Sequence, residues 1–119
     1  MKTASACLED ARVSLKHSVV LCKEINNKRV EKAKKILEML INRKISLNGK
    51  YYTNAAKKIL EILKTAEANA KVKNLNPERL FVKNAKADKG RVFIKPKSRW
   101  RLRGRKAKVT RIEINLEER

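Results

Sequence analysis

Residues Lys89 to Arg111 read KGRVFIKPKSRWRLRGRKAKVTR, and within them Lys95, Lys97, Arg99, Arg101, Arg103 and Arg105 all occupy odd positions. In an extended chain successive side chains point to opposite faces. These cations therefore share one face, with Pro96, Ser98, Trp100, Leu102 and Gly104 on the other. A period of two walks all the way round a helical wheel, so the spacing predicts extended chain and not helix. At a strand's rise of roughly 3.3 Å per residue the row would be about 33 Å long. Only Asp88 and Glu113, at its margins, bring opposite charge nearby. Like charge at this density is held together by an external polyanion, and nucleic acid is the usual one. A solvated, disordered basic tail is the competing reading. It ranks second because the run lies between two apolar, strand-like segments and not at a terminus.

Those flanking segments set the geometry. Upstream, Leu80 and Val82 are apolar on even positions and Ala85 and Ala87 on odd ones, so a bulge near Lys83 or Asn84 is needed to keep one face inward. Downstream, Thr110, Ile112, Ile114 and Leu116 alternate with Arg111, Glu113 and Asn115, the pattern of a half-buried strand. Placing Val82 near Ile114 centres a hairpin close to Ser98 and leaves arms that project about 30 Å beyond the sheet. The arms hold too few apolar residues to pack on a domain, and an isolated two-stranded ribbon is marginal in water. What the ribbon touches must order it. Pro96 and Gly104 suit an irregular tip; Phe93, Ile94 and Trp100 can pack across the ribbon or against bases, with Trp100 the better candidate for RNA contact.

Before Pro77 the period is helical. Ser14 is placed to cap a helix to about Ile25 with Leu15, Val19, Cys22 and Ile25 inward, and Asn26-Asn27 ends it. A second helix is predicted over Arg29 to Arg43 from Val30, Ala33, Ile36, Leu37, Leu40 and Ile41. Lys44 to Tyr52 contains the turn signal Asn48-Gly49 and reads as an inter-helix loop, with a hairpin as the alternative. Tyr51 and Tyr52 can stack on bases, although packing beside the helices is the simpler role. Thr53 or Asn54 then caps a long helix to about Val72, with Ala56, Ile59, Leu60, Leu63, Ala66 and Ala70 in one stripe and Glu67 paired to Lys71. Ahead of all this, Lys2 to Leu8 reads as a short strand of weak β propensity.

A chain of 119 residues is most simply one domain, divided here into a globular part (1–88 and 109–119) and an extended hairpin (89–108). Its formal net charge of +20 points to a chain that lives bound to an acidic partner. A membrane is the rival polyanion, but no apolar run approaches the ~20 residues of a transmembrane helix, and the N-terminus lacks a signal-peptide core. Soluble, intracellular and cytoplasmic is the expectation. Cys7 and Cys22 are far apart and read as reduced thiols, and with His17 the single histidine there are too few ligands for a metal site and too few groups for a catalytic dyad. His17 is then an ordinary helix residue or a phosphate contact. No enzyme activity and no cofactor are expected.

Four strings resemble the large-subunit ribosomal protein L twenty-two family in its archaeal form. They are ARVSLKHSVVLCKEINNKRVEKA from Ala11, AAKKILEILKTAEANA from Ala55, Leu80-Phe81-Val82 followed by Asp88-Lys89-Gly90-Arg91, and Arg111-Ile112-Glu113-Ile114. They span nearly the whole chain in the family's order. The resemblance implies an α+β fold, three helices on a small three-stranded antiparallel sheet, with one long protruding basic β-hairpin. It implies a globular part near the peptide exit and a hairpin running through rRNA along the tunnel wall. The tip would lie beside ribosomal protein L four, with the nascent peptide as a further contact and no homo-oligomer. Gly90 and Arg91 correspond to the outgoing arm, and Arg103-Gly104-Arg105 to the tip and return. The family's usual Pro-Arg-Ala-x-Gly-Arg-Ala is replaced by the residues from Ser98 to Lys106, and the segment between helices two and three is shorter than in many relatives.

The function expected is structural: an rRNA-binding constituent of the large subunit that helps assembly and lines the exit tunnel. The rRNA-binding residues are expected to be Arg12, Lys16, His17, Lys89, Arg91, Lys95, Lys97, Arg99, Trp100, Arg101, Arg103, Arg105, Lys106 and Lys108. The tip near the tunnel is Ser98, Arg99, Trp100, Arg101, Leu102, Arg103 and Gly104. The alternative is a free architectural nucleic-acid-binding protein with a β-ribbon arm, in which Trp100 or Leu102 acts as a wedge. A symmetric dimer would favour that second reading.

Overall fold

The computed structural model describes residues 3–46, 49–94 and 106–119, without the side chains of residues 10, 91–94 and 106–108. Strand β1 (Thr3–Ala11) is followed by helices α1 (Leu15–Ile25), α2 (Val30–Ile41) and α3 (Thr53–Val72), a 3-10 turn (Pro77–Arg79), and strands β2 (Leu80–Ile94) and β3 (Lys106–Glu118). The sheet is antiparallel with the order β1-β3-β2, so the last strand of the chain inserts between the first two. Three helices on a three-stranded antiparallel sheet make the α+β fold expected.

β3 takes the centre because it alone carries large branched aliphatics at every second position. Ile112, Ile114 and Leu116 are fully buried, facing a core that includes Leu21, Ile25, Leu37, Leu40, Ile59 and Leu63 from the helices. On β1 the inward residues are Ala4, Ala6 and Ala11. Small residues let α3, with Ala66 and Ala70 buried on its side, come close. Near its C-terminus α3 is pinned to the edge of β1: Asn69 Nδ2 donates to the Ser5 carbonyl at 2.9 Å and Lys73 Nζ to that of Thr3 at 3.1 Å.

The other edge, β2, is covered by the turn between α1 and α2. Asn27 N–H donates to the Val82 carbonyl, Val82 N–H to that of Lys28, and Asn26 Oδ1 accepts from Ala85 N–H at 2.6 Å. An edge strand left bare would offer its backbone to another chain, and here the turn uses those groups. The bulge predicted from the change of parity is present, between Val82 and Asn84. Phe81, on the outer side, lies under the guanidinium groups of Arg29 and Arg119, at 5.6 and 4.7 Å from its ring centroid.

Local expectations met mixed fates. Ser14 caps α1 through its Oγ, which accepts from His17 N–H. The buried stripe of α1, however, is Ser18, Leu21, Cys22 and Ile25, and Leu15 and Val19 are only half-buried. A serine can sit on that stripe because its hydroxyl donates to the Ser14 carbonyl at 2.8 Å. Neither Thr53 nor Asn54 caps α3; the cap is Tyr52, held in the left-handed region at φ +47° without a side-chain cap bond. That conformation costs a non-glycine residue on the order of 1 kcal/mol. Tyr52 packs against the core and meets His17 edge-on at 4.8 Å, contacts that offset the cost. Glu67 pairs with Lys34 of α2 at 2.5 Å and not with Lys71, tying two helices together where an intrahelical pair was expected. Gly49 turns at φ +76° as its Asn-Gly signal predicts, whereas Asn48 lies outside the described residues.

Candidate nucleic-acid interface

The β2–β3 ladder outruns β1. The last pair that β1 makes is Ala11 with Thr110, and Thr110 is matched on its other side by Lys89. Beyond that row β2 and β3 pair only with each other, Val92 with Lys108, Phe93 with Ala107 and Ile94 with Lys106. Hairpin arms of the expected kind therefore leave the sheet from this row. Their centre is displaced from the expected position: Val82 pairs with Leu116 and not with Ile114, which shifts the middle of the connecting segment one to two residues past Ser98. The Val82–Leu116 pair itself accounts for one residue of this shift, and the irregularities between Val82 and Asn84 and between Lys89 and Val92 add half a residue each.

Gly90 marks the exit. A Cβ built on it would lie 2.9 Å from the carbonyl oxygen of Glu9 and 3.0 Å from atoms of Val109, so all three strands converge on a point where only hydrogen fits. A second irregularity in the β2 register falls here, between Lys89 and Val92, and β1 has its own between Leu8 and Ala11. Both edges slip relative to β3 at the level where the ribbon departs. Thr110 Oγ1 closes the same corner by donating to the Val13 carbonyl at 2.9 Å, which anchors the lead into α1.

Of the expected contact residues, Arg12, Lys16 and Lys89 are exposed on this end of the molecule; Arg12 directly follows Ala11 and Lys89 faces it across Thr110. His17 is half-buried against Tyr52, a packing role that leaves it beside Lys16 on the first turn of α1. Arg91, Lys106 and Lys108 are placed as backbone positions of the ladder. Lys95, Lys97, Arg99, Trp100, Arg101, Arg103 and Arg105, with Ser98, Leu102 and Gly104 of the tip, lie outside the described residues.

At the base of the ribbon the carboxylate of Glu113 is already engaged. Glu113 lies 3.5 Å from both Lys86 and Arg111, and Asp88 is the register partner of Arg111. Among the described residues Glu113 thus pairs with two cations at the sheet end of the hairpin, and Asp88 adds a second negative charge on the same rows. Cys22 is buried at 3 % exposure, and burial, with the charge of Asp88 as a lesser cause, raises its thiol to about 11. It is a core residue held neutral, while Cys7 is exposed on β1. No group of His, Cys, Asp and Glu side chains able to hold a metal ion occurs among the described residues. No helix among them is long and apolar enough to cross a membrane.

A cluster that sequence reasoning did not single out lies at the opposite end of the sheet: Lys73, Lys83, Asn84 and Asn115 line one hollow on the face without helices. They come from α3's C-cap and two strands, and nothing in their spacing along the chain announces that they meet.

The family model described as "Ribosomal protein L22p/L17e" matches residues 6–117. Among individual proteins, the chain is 32% identical to "Large ribosomal subunit protein uL22" of Archaeoglobus fulgidus, over 99% of this chain and 90% of that protein. It is 31% identical to the protein of the same name from Methanopyrus kandleri, with 99% and 88% covered, and 34% identical to that of Methanocaldococcus jannaschii, with 98% and 88% covered. The first alignment runs over 139 positions, more than the 119 residues of this chain, so the relative carries residues that this one lacks. With the family model covering almost the whole chain and a fold that leads its last two strands out as a ribbon, this protein belongs to the L22p/L17e family of large-subunit ribosomal proteins, structural constituents of the ribosome and not enzymes.

Proposed function

We propose that this chain binds large-subunit rRNA through its basic hairpin, assists assembly of the subunit and lines the nascent-peptide exit tunnel. The observation that supports it most is the β2–β3 ladder running past β1 into a sequence of alternating cations. Lys and Arg there neutralise phosphates where rRNA segments converge, releasing counterions and permitting strands that repel each other to pack. Arginine suits the role because its planar fork grips phosphate through two bonds and stacks on bases. Contacts fall mainly on backbone and shape.

In this reading residues 89–108 form the rRNA-binding hairpin and 1–88 with 109–119 the globular anchor. Arg12, Lys16, His17 and Lys89 contact RNA at its base; Arg91, Lys95, Lys97, Arg99, Trp100, Arg101, Arg103, Arg105, Lys106 and Lys108 contact it along the arms. The tip, Ser98 to Gly104, reaches the tunnel beside ribosomal protein L four and the nascent peptide. The protein acts in cytoplasmic ribosomes as a single copy. Sedimentation of tagged protein from its native cells through a sucrose gradient at high salt tests this. Retention on the large subunit, where loosely held basic proteins wash off, is the expected result. Protein that runs free, or travels with DNA, would overturn the reading in favour of a mobile architectural arm.

A further inference from the structure

We infer that the hollow on the open face of the sheet is a second RNA-backbone site, built for phosphate and separate from the hairpin. The inference rests on the RNA-binding reading above and extends it to the end of the sheet opposite the row where the ribbon departs.

The hollow has a volume of about 390 Å³ and is lined by Thr3, Ala4, Ser5, Lys73, Lys83, Asn84 and Asn115. Ser5, Asn115 and Asn84 are consecutive register partners, so one row across all three strands carries a hydroxyl and two carboxamides. The bulge between Val82 and Asn84 adds a device: it leaves Lys83 and Asn84, neighbours in sequence, both exposed, where a regular strand would turn one of them into the core. Lys73 closes the rim from α3, its Nζ held 3.1 Å from the Thr3 carbonyl. The lining offers two ammonium groups, two amide NH₂ groups and hydroxyl donors. Among the described residues no carboxylate lines it, and neither lysine forms an ion pair.

The rest of the same face supplies the contrast. Towards the hairpin, Lys86 and Arg111 share Glu113, and Asp88 stands opposite Arg111. There cations are matched by acids; in the hollow they are not. Uncompensated lysines beside neutral donors fit a phosphodiester, whose oxygens accept from all of them. An acidic protein segment would meet the same charge, but carboxylates alone leave the flat row of amides without the extended acceptors that a sugar-phosphate chain presents.

The chain carries its own probe. Cys7 is exposed on the open face, two residues from Ser5, and Cys22 is buried, so a hydroxyl-radical-generating chelate attached through a thiol-reactive arm labels Cys7 alone. Full-length labelled protein assembled with large-subunit rRNA is expected to cut the rRNA near the open face. The unlabelled Lys73→Gln/Lys83→Gln variant is expected to lower the slope of log affinity against log salt by about 1.4 to 1.8, the change for two phosphates no longer neutralised, with unchanged circular dichroism. Labelled protein that binds rRNA but cuts nothing, or a variant with the wild-type slope, overturns this site and leaves the hairpin reading standing. Cross-linking of Cys7 to another ribosomal protein in place of RNA cleavage overturns it in favour of a protein partner. Wild-type protein that fails to bind rRNA at all, in contrast, defeats the reading on which the inference rests.

Discussion

The two ends of the β2–β3 pair are the same two strands under opposite regimes. At the Leu80–Glu118 end the pair is flanked by β1 on one side and the α1–α2 turn on the other, and Ile112, Ile114 and Leu116 are buried without residual exposure. At the Ile94–Lys106 end each strand has only the other as a backbone partner, and the sequence beyond is cationic at every second position. The first end is a product of apolar burial inside one chain. The second leads into a cationic run whose charge rRNA neutralises in the function proposed above. This chain thus joins a sheet end buried against its own helices to a two-stranded ribbon that β1 no longer flanks.

The contrast can be broken in order of expected effect. Replacing Arg99, Arg101, Arg103 and Arg105 by Ala should lower the salt slope of rRNA binding by about 3 and affinity by several orders of magnitude, while the urea midpoint stays put. Loss of helical circular dichroism in that variant would show that arm and fold are not separable. Ile114→Ala should do the reverse, costing about 2–5 kcal/mol of unfolding free energy by urea titration, because it opens a cavity at the centre of the central strand. Gly90→Ala tests the joint between the regimes: its Cβ would be 2.9 Å from the Glu9 carbonyl, and a loss of about 1–3 kcal/mol is expected. A wild-type urea midpoint in Gly90→Ala would mean that the three strands can part there without cost.

The smallest effect is in the core. The Cys22 thiol is raised to about 11 in the folded chain, so the stability it contributes is fully present below the thiol's ordinary value of 9.0 and is lost as pH rises towards 11. By pH 10 the loss should be about 1 kcal/mol relative to pH 8, and Cys22→Ala should remove that part of the pH dependence. Equal slopes in both proteins would show that burial does not hold this thiol neutral.

How much of this was legible in the sequence depended on whether one residue's pattern sufficed. α2 and α3 announced themselves through apolar steps of three and four, and the β2 bulge through a change of parity between Val82 and Ala85. The first strand was under-read: it runs to Ala11 and not Leu8, because Ala, Ser and Cys have little β preference of their own and it is β3 that makes them a strand. The inward face of α1 was misjudged for a related reason. Ser18 reads as polar until its hydroxyl is seen bonded to Ser14. In the interface the alternating cations needed no structure to be noticed, whereas the hollow of Lys73, Lys83, Asn84 and Asn115 exists only once α3 and two strands are side by side.

The sequence by itself determined the class of element at each stretch, the excess positive charge and its period of two, and thereby the polyanionic partner. Those properties are local or summed along the chain. The tertiary structure alone decided that β3 is central, that Gly90 is the point where a ribbon leaves a three-stranded sheet, that Glu67 binds Lys34, and that two lysines and two asparagines share one hollow. Each of these depends on which distant residues burial brings together, and periodicity along one segment carries no information about its neighbours in space.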